Sequence, residues 1–568
     1  MDITTDRKRL GAFLKGFKKT AKRDLRLTLT FAVATGLAVI AQGFLVARIL
    51  DELIFRGRTF SDVTRELVLL AAVILARAGA VWATDRFAFS AAAVVMRSLR
   101  AHLISRVERI GPVGLAERKT GETVAAIADG VRAIEPYYSR YIPASVMATL
   151  LPLAIFCVVL PFDWLSALVF VVTAPLIPVF MILIGEGAEK LNQRQWGRLQ
   201  RMSGHLLDAV QGLATLKAFN AARRMTEQVA KVADAYRRDT MAVLRIAFLS
   251  SLVLEFFATV SIAIVAVLVG FRLLWGEIGY FEGLFILLLA PEFYLPLRSM
   301  GTAYHARMEA IGAAEGIVAL EDVPALAEPG GAQAVFRPER IAISFEDVEL
   351  TFAGGRRALD GVSFQVAAGE AVALVGPSGG GKSSLLNLLL GFVQPTSGRV
   401  RVNGVALGAL DMAEWRSMIG YVPQAPRILS GTLAANIAPQ DDTPDMERLE
   451  KAARQADLFD VIARLPDGFD TRIGEGGAGL SGGEAHRLAL ARAFYRDAPV
   501  IVLDEPTAHL DRDSEARVQA AIARLLPGRT ALMVAHRRAT IEQAGRVVGL
   551  RAGRLADPAG IAEEEVAP

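Results

Sequence analysis

The sequence predicts an α-helical transmembrane domain of six helices joined to a soluble α/β domain, and two observations support this. Hydrophobic residues make up 53% of the 568 residues, yet apolar runs long enough to span a bilayer are confined to about the first 300 residues. Beyond a segment rich in proline and glycine, short β-rich runs alternate with helical patterns, which is typical of parallel strands in an α/β domain. A chain of this length also exceeds the size of one hydrophobic core.

Six apolar runs define the membrane domain, and each approaches the ~20 residues that a helix needs to cross ~30 Å of hydrocarbon. The runs are 27–50, 67–83, 142–159, 164–184, 247–274 and 281–297. The segments after the second and fourth runs are long and rich in Arg and Lys, as the positive-inside rule expects of cytoplasmic segments. We therefore expect both termini to be cytoplasmic and the long segments to continue the membrane helices outside the bilayer.

Composition places the domain boundaries and excludes some classes of function. Residues 321–339 combine prolines and glycines in a pattern typical of a linker. We predict a transmembrane domain over 1–320, a linker over 321–340 and a soluble domain over 341–568. The charge is balanced, with 63 Lys+Arg against 59 Asp+Glu, and indicates no nucleic-acid partner. The single cysteine, Cys157, excludes an intrachain disulfide and a cysteine-based metal cluster.

A glycine-rich loop follows the predicted strand Ala371–Val375 and precedes a predicted helix. It reads Gly376, Pro377, Ser378, Gly379, Gly380, Gly381, Lys382, Ser383, which matches G-x-x-x-x-G-K-[ST], and Ser384 follows it. Backbone N–H groups of such a loop surround phosphates, and the helix N-terminus adds positive potential. Lys382 would reach the terminal phosphates, and the Ser383 hydroxyl would bind Mg²⁺. The soluble domain is therefore predicted to be a P-loop NTPase domain that binds ATP and Mg²⁺.

A pair of acids, Asp504 and Glu505, ends the apolar strand Val500–Leu503. In this order after a phosphate loop, Asp504 would hold Mg²⁺ through its hydration shell. Glu505 would orient and deprotonate the attacking water, which requires a carboxylate within hydrogen-bond reach of that water.

Between these two motifs, the run Leu480, Ser481, Gly482, Gly483, Glu484 resembles the signature of ABC transporters. The resemblance implies that Phe352 stacks on adenine, that Gln424 is the Q-loop ligand of Mg²⁺, and that Asp511 belongs to the D-loop. It also implies that His536 contacts the γ-phosphate.

Three positions depart from the usual pattern of this family. Phe352 stands in place of the more usual Tyr, Glu484 in place of Gln, and Ala508 with His509 in place of Ser-Ala. None of these changes removes a catalytic group. In the family fold the phosphate loop and the signature face opposite sides of the domain, so one chain supplies half of each ATP site and a second ABC half-transporter is expected.

Within the membrane domain the stretches 173–181, 203–208, 243–251, 254–257, 289–293 and 296–298 resemble the CydD subunits of bacterial cysteine and glutathione exporters. The resemblance implies a heterodimer with a CydC-type partner in the bacterial inner membrane. It also implies export of thiol reductants to the periplasm, in support of cytochrome bd and haem-protein assembly. A lipid or drug exporter of the same architecture and a haem-sensing membrane ATPase are the alternatives.

Ionisable residues inside the apolar runs are candidates for a substrate site, because a charge at membrane depth is costly. Arg77 and Glu255 are the two candidates, with an inter-helix ion pair as the alternative reading. Tyr304 and His305 follow the sixth run and could ligate haem b, which the family resemblance also suggests. Arg77 could pair with a haem propionate. Counted at 1.5 Å per residue from the outer ends of the second and sixth runs, however, Arg77 lies at about mid-bilayer and His305 near the cytoplasmic face. The alternative for Tyr304 and His305 is an interfacial position at the cytoplasmic end of the helix.

Overall fold

The structure is a computed structural model that describes residues 3–116, 118, 120–180, 183, 209, 212–326, 340–352, 354–474, 479–508 and 510–558. The chain forms two compact units, Met1–Glu108 with Arg118–Pro324 and Arg109–Glu117 with Ala325–Pro568. Several predictions fall outside the described residues: the stretch 203–208, the linker residues 327–339, His509, and the end of the fourth apolar run.

Helices make up the first unit. They are α1 (Ile3–Gly16), α2 (Lys22–Ile54), α3 (Thr64–Ala116), α4 (Thr120–Ala125), α5 (Val131–Ala133), α6 (Ile142–Val159), α7 (Trp164–Thr173), α8 (Leu213–Ala218), α9 (Ala222–Leu274) and α10 (Tyr280–Glu321). Turns of π-helix at Ala126–Gly130 and Tyr137–Tyr141 connect α4, α5 and α6.

Five helical segments of the described chain are long and apolar enough to cross a membrane, namely Lys22–Ile54, Thr64–Ala116, Gly121–Val159, Ala222–Leu274 and Tyr280–Glu321. The remaining run, 164–184, is in its described part a shorter apolar helix over Trp164–Phe180. These helices confirm the predicted helical membrane domain. The 53 residues of α9 rise about 80 Å, so this helix extends well beyond ~30 Å of hydrocarbon.

The segment after the second run continues the membrane helix as far as Ala116, but α3 is kinked at Gly111. Gly111 has φ 74° and ψ 173°, and Pro112 follows it within α3. Proline cannot donate a main-chain hydrogen bond, so the helix is interrupted here. A Cβ at Gly111 would lie 3.1 Å from a methyl carbon of Leu326, whose N–H donates to the Arg109 carbonyl.

Helix α10 forms the centre of the membrane unit and packs against α2, α6 and α9. Its buried face includes Phe285, Leu289, Phe293 and Tyr294. The Tyr294 hydroxyl lies 2.6 Å from the Thr173 hydroxyl, which satisfies two polar groups inside an apolar core.

The second unit contains twelve strands among the described residues. They are β1 (Ile343–Thr351), β2 (Arg357–Val366), β3 (Ala371–Val375), β4 (Ser397–Val402), β5 (Val405–Ala406), β6 (Ile419–Val422), β7 (Gly431–Thr432), β8 (Arg472–Ile473), β9 (Val500–Asp504), β10 (Thr530–Val534), β11 (Arg546–Arg551) and β12 (Arg554–Ala556). The helices are α11 (Lys382–Leu389), α12 (Met412–Ser417), α13 (Leu433–Ile437), α14 (Met446–Gln455), α15 (Phe459–Ala463), α16 (Gly482–Arg496), α17 (Arg512–Leu525) and α18 (Arg538–Ile541).

The central sheet has the order β12-β11-β3-β10-β9-β6, and its strands from β11 to β6 pair in parallel. This confirms the predicted α/β domain. A separate antiparallel sheet, β2-β1-β4-β5, was not predicted. Carboxyl ends of parallel strands meet at one edge of a sheet, where ligands of such folds bind. The segments after β3, β6, β9 and β10 therefore converge.

Candidate functional site

The phosphate loop joins β3 to α11 in a conformation that only glycine adopts easily at two positions. Gly376 has φ 149°, and a Cβ there would lie 1.9 Å from the Leu550 carbonyl oxygen. Gly381 has φ 108°, and its Cβ position lies 2.8 Å from the Ala358 carbonyl oxygen. Any side chain would therefore displace the backbone that forms the loop.

Lys382 begins α11 and is 5% exposed. Its ammonium donates to the carbonyl oxygens of Gly376 and Pro377, the latter at 3.2 Å, so it lies inside the loop. Ser383 is exposed and Ser384 half-buried in the same first turn, where N–H groups have no partner within the helix. Pro377, Ser378 and Gly379 are exposed, and Gly380 donates to the Pro377 carbonyl at 2.9 Å.

Strand β9 delivers the acid pair to the same edge of the sheet. Burial and the neighbouring Glu505 carboxylate raise the pKa of Asp504, while the charges of Lys382 and His536 oppose this. Glu505 has φ 45°, a conformation that costs a residue with a side chain of order 1 kcal/mol or more. Its N–H donates to the Val534 carbonyl at 3.2 Å, which helps to hold it there.

The Glu505 carboxylate contacts two other residues that the sequence singled out. Gln424 donates from Nε2 to Glu505 Oε2 at 3.1 Å, and His536 Nε2 lies 3.0 Å from Glu505 Oε1. Gln424 lies just after β6, and His536 lies just after β10. The parallel sheet thus brings together the three side chains assigned to the attacking water, the Q-loop and the γ-phosphate.

The donor set at this edge suits Mg²⁺, a hard cation that prefers carboxylate, hydroxyl and amide oxygens. Burial and the neighbouring Glu505 carboxylate raise the pKa of Asp504 because both disfavour its charged form, and a bound cation would offset this penalty. Ser383, Gln424 and Asp504 are the residues that would hold the ion. No cluster of three or more His, Cys, Asp or Glu side chains suited to a metal occurs among the described residues.

The signature residues form the start of α16. Ser481 is the N-cap: its hydroxyl accepts from the Glu484 N–H at 3.3 Å, while the Glu484 carboxylate accepts from the Ser481 N–H at 2.7 Å. Glu and Gln can both form this reciprocal capping box. The Glu at position 484, where the family usually has Gln, therefore leaves the local fold intact. A Cβ at Gly483 would lie 2.4 Å from the Ser514 hydroxyl, so the helix packs closely on α17. Leu480 packs against the core below α16.

A link that the sequence reasoning missed runs from α16 to the Q-loop. The buried His486 places Nδ1 2.9 Å from the Gly482 carbonyl and Nε2 3.2 Å from the Gln424 carbonyl. It thus connects the signature to the residue whose side chain holds Glu505. A single histidine in a helix belongs to no motif, and only its place two residues after Glu484 could have drawn attention to it.

The remaining nucleotide-site predictions lie on separate elements. Phe352 lies at the turn between β1 and β2, with the Arg356 guanidinium 4.9 Å above its ring. The β2 residue Ala358 contacts the Gly381 position, so this hairpin lies against the phosphate loop. Asp511 caps α17, accepting from the N–H groups of Asp513 and Ser514 at 3.2 and 3.0 Å. These hydrogen bonds hold the pKa of Asp511 below its usual range.

In the membrane unit, the candidate charges form ion pairs between helices. Arg77 on α3 donates to Gln42 Oε1 on α2 at 2.9 Å and to Glu292 Oε1 on α10 at 3.3 Å. Glu255 pairs with Arg298 at 2.5 Å. Sequence reasoning missed Glu292, although the criterion that selected Arg77 applies to it equally, since Glu292 also interrupts an apolar run.

The structure does not bring Arg77 and the candidate haem ligands together. At 1.5 Å per residue, Arg77 lies about 20 Å from Thr64, whereas His305 lies about 38 Å from Tyr280. The guanidinium of Arg77 is engaged by Glu292, and that of Arg307 lies 5.7 Å from the Tyr304 ring. The described residues therefore do not fit one haem held by Arg77, Tyr304 and His305.

Comparisons with known proteins agree with this architecture. The family model of the ABC transporter transmembrane region matches residues 25–291, and the ABC transporter family model matches residues 359–508. The solved structure of a bacterial Atm1-family ABC exporter with ATP bound has the same fold, with a TM-score of 0.81, 24% identity, and coverage of 96% of this chain and 99% of that one.

Two curated relatives align over almost the whole chain. The transport ATP-binding protein AarD of Providencia stuartii is 38% identical over 92% of this chain and 90% of its own length. The glutathione/L-cysteine transport system ATP-binding/permease protein CydD of Escherichia coli is 34% identical over 99% of this chain and 96% of its own length.

The chain is an ABC transporter with an exporter fold, and it couples ATP hydrolysis to transport through a multi-pass membrane domain on the same polypeptide. Within that family it belongs to the group of exporters that includes CydD.

Proposed function

We propose that this chain is one subunit of a heterodimeric exporter in the bacterial inner membrane, which moves thiol reductants such as cysteine and glutathione to the periplasm. The observation that supports ATP hydrolysis best is the Glu505 carboxylate held between Gln424 and His536. Support for the substrate comes from the relatives, because CydD is named for glutathione and cysteine transport and aligns over 99% of this chain.

In the proposed ATP site, the phosphate loop and Lys382 bind the phosphates, and Phe352 stacks on the adenine. Glu505 takes a proton from the attacking water, and His536 contacts the γ-phosphate. Ser383, Gln424 and Asp504 would hold Mg²⁺, which would neutralise charge on the phosphates. Water is oriented by Glu505 because Gln424 and His536 fix both carboxylate oxygens.

A partner subunit follows from the single phosphate loop and single signature in this chain. Residues Leu480–Glu484 would complete the ATP site of a CydC-like partner, and the partner's signature would complete the site at Lys382. ATP then holds two cassettes together, and hydrolysis releases them, which gives the membrane helices two states.

The proposal includes two domains joined by a linker and their orientation in the membrane. The transmembrane domain occupies 1–320, the linker 321–340 and the ATP-binding cassette 341–568. Both termini and the cassette lie in the cytoplasm, as the Arg- and Lys-rich segments after the second and fourth runs support. Reductant delivered to the periplasm would support assembly of cytochrome bd and other haem proteins.

Haem b as a ligand of this chain stays a sequence prediction for Tyr304 and His305. The Soret absorbance of the purified complex tests it. Loss of that band in His305→Ala and a shifted band in Tyr304→Phe would support it, and an unchanged spectrum with unchanged haem content would eliminate the site.

Inverted membrane vesicles that contain this chain with its partner test the transport proposal. We expect ATP-dependent entry of labelled cysteine or glutathione, and little entry with the chain alone. ATPase activity stimulated by lipid but not by reductant would instead indicate a lipid exporter. A conformational response of the complex to nucleotide, with no entry of solute into the vesicles, would indicate a haem-sensing membrane ATPase.

A further inference from the structure

Three polar side chains from three helices meet at one level inside the membrane unit. Counting 1.5 Å per residue, Gln42 lies about 18 Å from Ile54, Arg77 about 20 Å from Thr64, and Glu292 about 18 Å from Tyr280. These helix ends lie on the same side, since the Phe55 and Tyr280 rings are 4.3 Å apart and Arg48 near the end of α2 pairs with Glu66 near the start of α3 at 3.8 Å. The cluster is therefore near the middle of ~30 Å of hydrocarbon.

The cluster lies between helices and not on the apolar outer face of α3. Val73, Arg77 and Ala80 are less exposed than their neighbours and recur at helical spacing, which defines the packed side of α3. By contrast Leu75 and Trp82 are 73% and 69% exposed. The Arg77 and Glu292 side chains are nevertheless 31% and 25% exposed, so a ligand can reach both.

Packing alone does not require this arrangement, because placing a charge pair at mid-membrane costs more than an apolar contact. The pair does have one chemical property that an apolar contact lacks. A zwitterionic ligand could replace the Arg77–Glu292 ion pair without leaving a net charge. Its carboxylate would pair with Arg77 and its ammonium with Glu292. Gln42, as a neutral hydrogen-bonding group, stays with Arg77 in either state.

We propose that Gln42, Arg77 and Glu292 bind the α-amino-acid group of the transported molecule, that is, its paired ammonium and carboxylate. This inference rests on the proposed function and specifies what the site recognises. Cysteine carries this group, and so does the γ-glutamyl end of glutathione. The thiol is then not the group that the membrane site selects.

Competition against labelled L-cysteine in inverted vesicles, with the complete heterodimer, tests the proposal without a mutation. The probes are S-methyl-L-cysteine, which keeps the α-amino-acid group, cysteamine, which lacks the carboxylate, and 3-mercaptopropionate, which lacks the ammonium. We expect S-methyl-L-cysteine to compete about as well as L-cysteine. The other two should compete roughly tenfold or more weakly, as expected for loss of one charged hydrogen bond.

Variants assign the discrimination to residues. Glu292→Gln should reduce the preference for cysteine over 3-mercaptopropionate by roughly tenfold, since the partner of the ammonium is lost, and leave the preference over cysteamine nearly unchanged. Arg77→Gln should do the reverse. Glu277→Gln, which breaks the ion pair with Arg272 where α9 ends, is the matched control and should change neither ratio.

Equal competition by all three probes, or ratios in the variants that match the unmutated complex, would overturn this site while leaving thiol export standing. Loss of both preferences in Glu277→Gln would also overturn it, because the effect would then not be local. Absence of any ATP-dependent entry of labelled cysteine or glutathione in the unmutated complex would overturn the proposed function, and this inference with it.

Discussion

Both oxygens of the Glu505 carboxylate are contacted, one by Gln424 and the other by His536. Both contacts come from nitrogen atoms, so each carboxylate oxygen accepts a hydrogen bond. Together the two hydrogen bonds hold the carboxylate in one orientation. A residue with φ 45° at the end of a buried strand has little freedom to move elsewhere. These features indicate that the side chain is positioned for chemistry before substrate binds.

Glu505→Gln should retain ATP binding and lose hydrolysis at this site by roughly 10²-fold or more, the scale of general-base loss. An amide cannot accept the proton from water. Turnover and nucleotide binding are measured in a complex whose partner site is disabled separately. Glu542→Gln, at an exposed ion pair with Arg538, is the control and should behave like the unmutated complex. Near-normal hydrolysis in Glu505→Gln would refute the role.

Asp504 gives a prediction about stability and pH. Burial and Glu505 raise its pKa in the folded protein, so the stability that its proton contributes is present at low pH and is lost as pH rises through the folded value. At pH 7.5 the carboxylate thus destabilises the nucleotide-free cassette. Asp504→Asn should raise Tm by about 2 °C there, with the difference closing toward about pH 4, and should abolish Mg²⁺-dependent hydrolysis. A lower Tm at pH 7.5, measured by scanning calorimetry, would contradict this.

Sequence motifs made the nucleotide-site residues predictable. Residues that act only through contacts with single distant residues were not predictable. Lys382, Glu505 and His536 follow strands in an order that a parallel sheet must bring to one edge, so their convergence follows from the sequence. His486 and Gln42 act through one or two hydrogen bonds whose partners are far away in the chain. No local pattern encodes such a pairing.

Helix α16 connects two parts of the ATP site. Its first residues form the signature, and His486 one turn later contacts the Q-loop backbone at Gln424. Both partners are carbonyl oxygens, so both hydrogen bonds form together only when both ring nitrogens carry hydrogen. The hydrogen bond from His486 thus ties helix α16 to the backbone of Gln424, whose side chain contacts Glu505.

Replacing His486 should impair turnover more than nucleotide binding, because His486 is a positioning residue. We expect His486→Leu to lower kcat for ATP about tenfold with little change in KM, and His486→Gln, whose amide can donate one hydrogen bond, to recover much of this. Tyr495→Phe on the same helix loses a hydrogen bond to Asp441 and controls for general destabilisation, since it should lower Tm without changing kcat. Parallel losses in His486→Leu and His486→Gln would argue for a purely structural role.

Helix ends were less predictable than helices. The apolar runs located the spans, but the positive φ of Gly111 that kinks α3 before Pro112 was not predicted from them. Likewise, the antiparallel sheet β2-β1-β4-β5 requires pairing of β1 with β4 across the phosphate loop and α11. Such pairings depend on the whole domain, and no window of sequence contains them.

At the scale of the whole molecule, the central expectation is that each subunit completes the ATP site of the other. Gly482 offers a clean test, because a Cβ there would meet no atom within 4 Å and its φ is not in the left-handed region. Gly482→Asp should therefore fold. At Gly483, in contrast, a side chain would clash with Ser514, and a loss of activity could not then be assigned to the ATP site alone.

Gly482→Asp places a negative charge where the signature backbone would meet the phosphates of ATP bound to the partner. We expect hydrolysis at the partner's site to fall roughly tenfold or more, since like charges would be held close in a poorly solvated interface. ATP binding at Lys382 should persist, whereas Lys382→Ala should lose it. Photo-crosslinking of labelled ATP, assigned to each subunit by mass spectrometry, and vanadate trapping separate the two sites. If Gly482→Asp impaired the site at Lys382 and spared that of the partner, the two sites would not be shared between subunits in this way.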